Sequence, residues 1–282
     1  MRWTTPVDIP KSKWSLSHED HLLLLGSCFT DEIGALLTQH GFDALSNPTG
    51  TLYNPLSIAQ TINLKSQISN LKSQISLIEH EGFWHSMQHH GSFSHKDKSV
   101  VEQRCREANE RLKEAWEQAS VVIITFGTSW VYEMEGQVVA NCHKLPESVF
   151  TRRLLSVEEI VSTWQPIIQS APDKHWLFTV SPIRHVRDGL HANQVSKGIL
   201  LQAIDRLVEL TGVSYFPSYE IVMDELRDYR FYAEDLCHPS SQAIQYIWER
   251  LADTFFSDAT RAIALQYFKA YRRSQHRPLH ED

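Results

Sequence analysis

The stretch from Leu22 to Thr30 reads LLLLGSCFT and decides the fold of this chain. Four consecutive leucines before a glycine are typical of a strand that is buried on both faces, as in a parallel sheet. Residues 31–40 then place apolar side chains at helical spacing. Gly26 and Ser27 therefore lie on a strand-to-helix turn, which in α/β proteins faces the ligand-binding crevice at the carboxyl ends of the strands. We expect Ser27 in that crevice, with free amides of the next helix directed at it.

A second segment, Glu234 to Ser240, reads EDLCHPS and supplies a proton acceptor for that serine. Pro239 disfavours helical geometry at His238 and suits the first turn of a following helix. Asp235 lies three residues before His238, so its carboxylate can bind one imidazole nitrogen and leave the other free, as a general base requires. Ser27, Asp235 and His238 are therefore candidates for a catalytic triad. The alternative is that Ser27 only caps its helix and His238 is a polar residue at another helix start.

Length and composition point to one large core. The 282 residues are 42% hydrophobic, which predicts a single domain over residues 1–282. The formal net charge of −7 argues against a nucleic-acid surface and makes an acidic membrane an equally poor partner. The sequence indicates no cofactor and no obligate protein partner.

Two features of the sequence predict a cytoplasmic protein. No apolar segment of signal-peptide length precedes Lys11 and Lys13, and the leucine run is far too short to span a bilayer. The cysteines show no CxxC spacing, and we expect them to be reduced thiols, as is usual in that compartment. They are Cys28, Cys105, Cys142 and Cys237.

Apolar runs and periodic segments alternate along the rest of the chain. Further strands are predicted at 42–45, 121–126, 176–180 and 213–216, and helices at 100–119, 156–170, 195–210 and 239–272. This alternation predicts an α/β fold with a parallel, doubly wound sheet.

An identical heptapeptide, NLKSQIS, occupies residues 63–69 and again 70–76. Its apolar residues keep one helical face through both copies. We therefore expect a helical insertion within 55–80 that forms a lengthened surface helix. A coil that binds a partner is the alternative.

Several motifs together resemble the GSCFA family within the SGNH (GDSL-like) hydrolase superfamily. The name-giving motif is matched at Gly26 to Thr30, with Thr30 where the family has alanine. Other matching segments lie at 53–57, 126–132, 141–144, 181–185 and 235–240. The resemblance implies a flavodoxin-like, three-layer α/β/α fold, with Ser27 as nucleophile and Asp235 and His238 as its acid/base partners. It supplies no substrate, because the superfamily removes acyl groups from lipids, sugars and small esters.

The resemblance also implies an oxyanion hole. The amide of Ser27 is the first expected donor, and Gly50 matches the second donor of the superfamily by its place in the chain. The third donor is an asparagine after the third strand, but residues 127–130 contain none. Asn54 or Asn141 must therefore substitute, or the hole is poorer. The alternative is that both asparagines are turn residues.

Side chains near the expected crevice are candidates for substrate binding. Arg184 and His185 follow a predicted strand end. Arg184 either holds an anionic group, such as a carboxylate or phosphate, or pairs with Asp188 in a turn. Trp84 and Trp130 are placed to stack on sugar rings, although most tryptophans fill cores.

Residues 83–95 hold four histidines in an aromatic segment. His85 and His89 have the i, i+4 spacing of a zinc helix, but the surrounding glycine and serines are typical of a loop. We therefore expect no metal here. We expect instead a wall of imidazole and aromatic rings near the site, to which His89 and His90 contribute.

These residues favour acyl transfer. The predicted function is a serine esterase that acts on an acylated carbohydrate or another small metabolite. An acyltransferase of the same fold and a catalytically inactive module that binds a glycan or other ligand are the alternatives. Cys28 and Cys237, which adjoin Ser27 and His238, leave a cysteine enzyme open, but the sequence identifies no neighbour that would stabilise a thiolate.

Overall fold

The computed structural model describes residues 4–67 and 76–275. The strands are β1 (His21–Gly26), β2 (Asp43–Ser46), β3 (Leu77–His80), β4 (Phe83–Ser86), β5 (Val121–Phe126), β6 (Trp130–Met134), β7 (Gln137–Val139), β8 (Thr151–Leu154), β9 (His175–Val180) and β10 (Val213–Phe216). The α-helices are α1 (Cys28–Gln39), α2 (Pro55–Gln67), α3 (Lys98–Gln118), α4 (Val157–Gln169), α5 (Leu190–Leu207), the short α6 (Ser218–Glu220), α7 (Ser241–Phe255) and α8 (Asp258–Ser274).

Five of these strands form a parallel sheet in the order β2-β1-β5-β9-β10. Counted along the chain within the sheet, the order is 2-1-3-4-5, which is that of flavodoxin-like folds. Helices cover both faces of the sheet. The prediction of an α/β fold with three α/β/α layers is therefore confirmed.

The leucine run in β1 shows why this sheet is buried on both faces. Leu23 and Leu25 lie in one hydrophobic core with α2, α3, α4 and α5. Leu22 and Leu24 lie in the opposite core with α1, α7 and α8. Alternate side chains of a strand point to opposite faces, and each fully buried leucine stabilises the fold by about 2 kcal/mol relative to an exposed one.

Two antiparallel sheets lie outside the central one. β3 pairs with β4, and β6 pairs with both β7 and β8. The sequence analysis missed all five of these strands, because they are short and only partly buried, so their residues lack a continuous apolar run. The pairing of β6 with β8, for example of Trp130 with Leu154, joins segments that are distant in the sequence.

The expected single helix over 239–272 is wrong. The structure has α7 and α8 with a break at Phe256, whose backbone is extended and whose side chain is buried in the core. The side chain of Ser257 accepts a hydrogen bond from the amide of Thr260 and so caps α8. Pro239 is not in the first turn of α7, because Ser240 is the N-cap of that helix.

The duplicated heptapeptide falls mostly outside the described residues. α2 ends at Gln67, within the first copy, and β3 begins at Leu77. Of the helical insertion predicted within 55–80, α2 covers the start, but the end is wrong, because Leu77–His80 pairs with β4 as a strand. The helix predicted over both copies otherwise lies beyond what the structure describes. No helix in the described part of the chain has the length and apolar character needed to cross a membrane.

Gly26 is required at the end of β1. Its φ is +147°, and a Cβ at this position would lie 2.2 Å from the carbonyl oxygen of Thr125. Gly26→Ala is therefore expected to lower the free energy of unfolding by about 1 to 3 kcal/mol, because strain and a backbone clash add. Urea unfolding measures this. Gly198→Ala is the control, since a Cβ at Gly198 in α5 meets nothing within 4 Å and we expect no loss there. Equal unfolding midpoints for the two variants would contradict the expectation.

Candidate active site

Ser27 occupies the turn between β1 and α1. It is the N-cap residue of α1, but its side chain makes no capping hydrogen bond. The residue is 1% exposed, and its Oγ has no hydrogen-bond partner among the described residues. A buried hydroxyl without a partner is unusual in a folded protein. The capping alternative for Ser27 therefore lacks the contact on which it depends.

Asp235 and His238 form a close pair at the other end of the chain. Nδ1 of His238 lies 2.5 Å from Oδ2 of Asp235. The other oxygen of Asp235 accepts hydrogen bonds from the amides of His238, at 3.0 Å, and Cys237, at 2.9 Å. These two amides and the imidazole lower the pKa of Asp235 to about 2. The carboxylate is thus ionised at neutral pH and orients the imidazole through Nδ1.

The loop that carries this pair is held by Arg184. The amide of Arg184 donates to the carbonyl oxygen of Cys237 at 3.1 Å, and its guanidinium donates to that of Leu236 at 3.3 Å. The guanidinium also lies over the rings of Tyr232 and Tyr229, at 5.3 and 5.9 Å from their centroids. Arg184 therefore fixes the position of the Asp235–His238 loop.

The free nitrogen of the imidazole faces a thiol in this structure. Nε2 of His238 lies 3.7 Å from Sγ of Cys28. Burial raises the pKa of the Cys28 thiol, so the thiol is protonated at neutral pH. Proton transfer from Ser27 to His238 requires the serine hydroxyl to replace the thiol as the neighbour of Nε2. Catalytic hydrogen bonds are often long or unformed before substrate binds.

One cavity of about 740 Å³ brings the separate segments together. Its lining includes Ser27, Asn54, Trp130, Asn141, Arg184, His185, Asp235 and His238. These residues come from the β1–α1 turn, the start of α2, the antiparallel β6–β8 sheet, and the loops after β9 and before α7. The first and last parts of the chain thus meet in one pocket at the carboxyl ends of the central strands.

The sequence profile of the GSCFA family matches residues 21–251, from β1 into α7. The chain belongs to the GSCFA family. No protein of curated function and no solved structure matches the chain.

In this GSCFA protein the first two expected oxyanion donors, the amides of Ser27 and Gly50, both bind backbone carbonyls. The amide of Ser27 already donates to the carbonyl of Thr125 at 3.3 Å, a long hydrogen bond. The amide of Gly50 donates to the carbonyl of Asn47 at 2.8 Å, and Gly50 does not line the cavity. A Cβ at Gly50 would lie 2.2 Å from Cβ of His90, so this glycine lets two loops pack together.

Both candidate asparagines line the cavity, and both also hold a turn. Asn54 accepts from the amide of Ser57 at 2.8 Å, and its Nδ2 donates to the hydroxyl of Ser57 at 2.9 Å. Asn141 accepts from the amide of His143 at 2.9 Å. An amide nitrogen carries two hydrogens, so Asn54 keeps one N–H beyond its bond to Ser57. The turn and oxyanion interpretations of these residues are therefore compatible.

The expected wall of histidines does not reach the cavity. His89 is buried between the side chains of Ser86 and Asn109, at 2.8 and 3.1 Å, and burial lowers its pKa to about 4. Neither His89 nor His90 lines the cavity. Among the described residues, no group of three or more His, Cys, Asp or Glu side chains could hold a metal ion.

Trp130 and His185 do line the cavity, whereas Trp84 does not. The guanidinium of Arg152, in β8, lies 4.0 Å from the centroid of the Trp130 ring and pairs with Asp188. The alternative in which Arg184 pairs with Asp188 is therefore wrong. Burial, followed by the charge of Lys197, lowers the pKa of His185 to about 4.

The sequence analysis missed a row of buried polar residues on one face of α5. Asn193, Ser196 and Lys197 are buried on one helical face. Asn193 accepts from the amide of His185 at 2.9 Å, and Ser196 accepts from the amide of Ser129 at 2.8 Å. The signal was their i, i+3, i+4 spacing, but the predicted helix began at 195 and left Asn193 outside it.

Proposed function

We propose that this GSCFA protein is a serine ester hydrolase of the SGNH type, with Ser27, His238 and Asp235 as its triad. The observation that carries the proposal is a buried serine hydroxyl without a partner in the same cavity as an Asp–His pair 2.5 Å apart. A nucleophile, a base and a group that orients the base are the parts that acyl transfer needs.

In the proposed reaction, Oγ of Ser27 attacks the ester carbonyl carbon while Nε2 of His238 takes the hydroxyl proton. The tetrahedral intermediate then collapses, and His238 returns that proton to the leaving alcohol. Water attacks the acyl-serine in the second half, again with His238 as base, and the acid is released. Asp235 keeps Nδ1 of the imidazole protonated throughout, so that Nε2 is the nitrogen that accepts.

Unpartnered polar atoms support a polar substrate. Nε1 of Trp130 and Nε2 of His185 are buried without hydrogen-bond partners among the described residues, and both residues line the cavity. Both atoms are enclosed, so a polar ligand satisfies them only after a small movement of the lining. The ring of Trp130 would stack on a sugar by the face that Arg152 does not cover. An acylated carbohydrate or small polar metabolite fits this lining.

Hydrolysis of short-chain p-nitrophenyl esters tests the proposal. We expect the native protein to release p-nitrophenolate faster than the same protein after heat denaturation. A second alcohol added to the reaction distinguishes an acyltransferase, which would form a new ester, from a hydrolase, which would release the free acid. Equal rates for native and denatured protein would favour a binding module that has no catalytic activity.

Asn54 is the side chain that we expect to donate to the oxyanion. Asn54→Asp keeps the oxygen that caps α2 but removes both N–H donors, so the fold is retained while kcat falls by about 100-fold. Asn141→Asp is the comparison, since it adds the same negative charge to the lining of the same cavity. Unchanged kcat in Asn54→Asp would remove Asn54 from the oxyanion hole, and a loss confined to Asn141→Asp would assign the role to that residue.

A further inference from the structure

Lys197 is a buried lysine that the proposed reaction does not use. The residue lies on α5 and is 1% exposed. Its Nζ donates to the carbonyl oxygen of Gly127 at 2.6 Å and to that of Ser181 at 2.7 Å. No carboxylate of the described chain pairs with it, and its Nζ lies 5.5 Å from the centroid of the Tyr219 ring. Burying an ammonium without a carboxylate is costly, because carbonyl dipoles replace only part of its hydration.

The two carbonyls that bind Lys197 belong to neighbouring strands of the site. Gly127 follows the last residue of β5, and Ser181 follows the last residue of β9, so Lys197 bridges the carboxyl ends of two paired strands. Ser181 itself lines the cavity. A Cβ on Gly127 would lie 3.4 Å from Cβ of Ser27, which places the bridged backbone directly against the candidate nucleophile.

The positive charge of Lys197 acts on the cavity. It contributes, after burial, to the lowered pKa of His185, whose side chain lines the cavity. The low dielectric of a buried site strengthens such interactions. An anion that forms at Ser27 would therefore be stabilised by this charge without any movement of the protein.

We propose that Lys197 is a positioning residue of this site, which ties the carboxyl ends of β5 and β9 together beside Ser27 and places a positive charge behind the cavity. The catalytic part of this inference rests on the proposed esterase function. In that reaction the positive charge stabilises the oxyanion of the tetrahedral intermediate. The hydrogen bonds from Lys197 to the two carbonyls hold in place the backbone that packs against Ser27.

Lys174, at the amino ends of the same strands, serves as the control. Lys174 is 6% exposed, and its Nζ donates to the carbonyl oxygen of Ala119 at 2.6 Å. Lys174 precedes β9 and Ala119 precedes β5, so this lysine bridges the amino ends of the same two strands. It shares the burial and a carbonyl bond with Lys197 but lies away from the cavity. It differs in binding one carbonyl instead of two and in lying 3.8 Å from a carboxylate oxygen of Asp173.

The experiment compares Lys197→Met and Lys174→Met for melting temperature, kcat and KM with a p-nitrophenyl ester. Assays at about pH 6 keep Lys197 charged, since burial lowers its pKa to about 7. We expect similar losses of melting temperature, but a fall in kcat of about tenfold or more, with KM within about twofold, only in Lys197→Met. Equal kcat in the two variants, measured on folded protein, would overturn the inference.

Two further measurements keep the outcome decisive. Lys197→Gln retains N–H donors for the carbonyls and removes the charge, so it replaces Lys197→Met if that variant does not fold. The pKa of His185, followed by NMR, is expected to rise in the Lys197 variants and not in Lys174→Met. This titration needs no turnover, so it tests the charge even if a wild-type rate equal to that of Ser27→Ala refutes the esterase function. An unchanged titration of His185 would also overturn the inference.

Discussion

Ser27→Ala is expected to lower the rate of p-nitrophenyl ester hydrolysis by about a thousandfold or more, whereas Cys28→Ala keeps it within about threefold. The two residues are neighbours in the sequence and both line the cavity. Their chemistry differs, because burial raises the pKa of the Cys28 thiol and a protonated thiol is a poor nucleophile. The Ser27 hydroxyl instead has no hydrogen-bond partner within the described chain and is buried in the lining of the cavity.

The comparison also tests the contact between Cys28 and His238. In the structure the thiol is the neighbour of Nε2, so Cys28→Ala removes a competitor for the base. A modest rise in rate in Cys28→Ala is consistent with this. The opposite pattern, a large loss in Cys28→Ala and little change in Ser27→Ala, would contradict the serine mechanism and support a cysteine nucleophile. Thermal unfolding of both variants checks that each is folded.

Asp235→Asn is expected to reduce kcat by about 1000- to 10,000-fold, the second large effect. The amide nitrogen of asparagine would donate to Nδ1 of His238, so the imidazole proton moves to Nε2, which then cannot accept the serine proton. The backbone cap survives, because the remaining oxygen can still bind the amides of Cys237 and His238. The measurement is kcat with a saturating ester, together with the melting temperature.

Asp188→Asn is the matched control for Asp235→Asn. Asp188 lines the same cavity but pairs with Arg152, so we expect its kcat to stay within about threefold of wild type. Equal losses in the two variants would show that any loss of negative charge in the cavity lowers the rate. The role assigned to Asp235 would then be wrong.

The pH dependence follows from the lowered pKa of Asp235. Because the pKa of Asp235 is lowered in the folded protein, its ionised carboxylate contributes to the free energy of unfolding at neutral pH. That stabilisation is lost as pH falls from about 4 towards about 2. Above about pH 4 the carboxylate therefore stays ionised. Any acid limb in the rate above that pH reports a different group, and a profile of kcat/KM against pH for wild type and Asp235→Asn measures it.

The sequence predicted the parts of the fold that are set by two-sided burial. Residues 121–126 coincide with β5, in which all six residues are buried. Residues 213–216 coincide with β10, although this strand lies at the edge of the sheet and is only partly buried. A strand covered on both faces gives a continuous apolar run, which a short window detects. β6 to β8 lack such a run, and their pairing depends on distant partners. The break between α7 and α8 had a local signal, the Ser257 cap, which the apolar periodicity outweighed.

The candidate site was predictable where its chemistry is local in sequence. The three-residue spacing of Asp235 and His238 predicted their contact. The contact of Nε2 with Cys28 and the bridging role of Lys197 arise only when strand ends meet in the folded chain. Arg184 does not pair with Asp188 and holds the loop of the Asp–His pair instead. It also lines the cavity, so the expectation that it binds an anionic group stays a prediction.

Covalent trapping of the nucleophile tests the central claim most directly. The native protein is treated with a fluorophosphonate, which reacts with activated serines, and the labelled peptide is located by mass spectrometry. We expect one phosphonate on Ser27, and its formation should be lost in His238→Ala. A label on Cys28 or elsewhere, or no label on a protein that hydrolyses esters, would contradict the account.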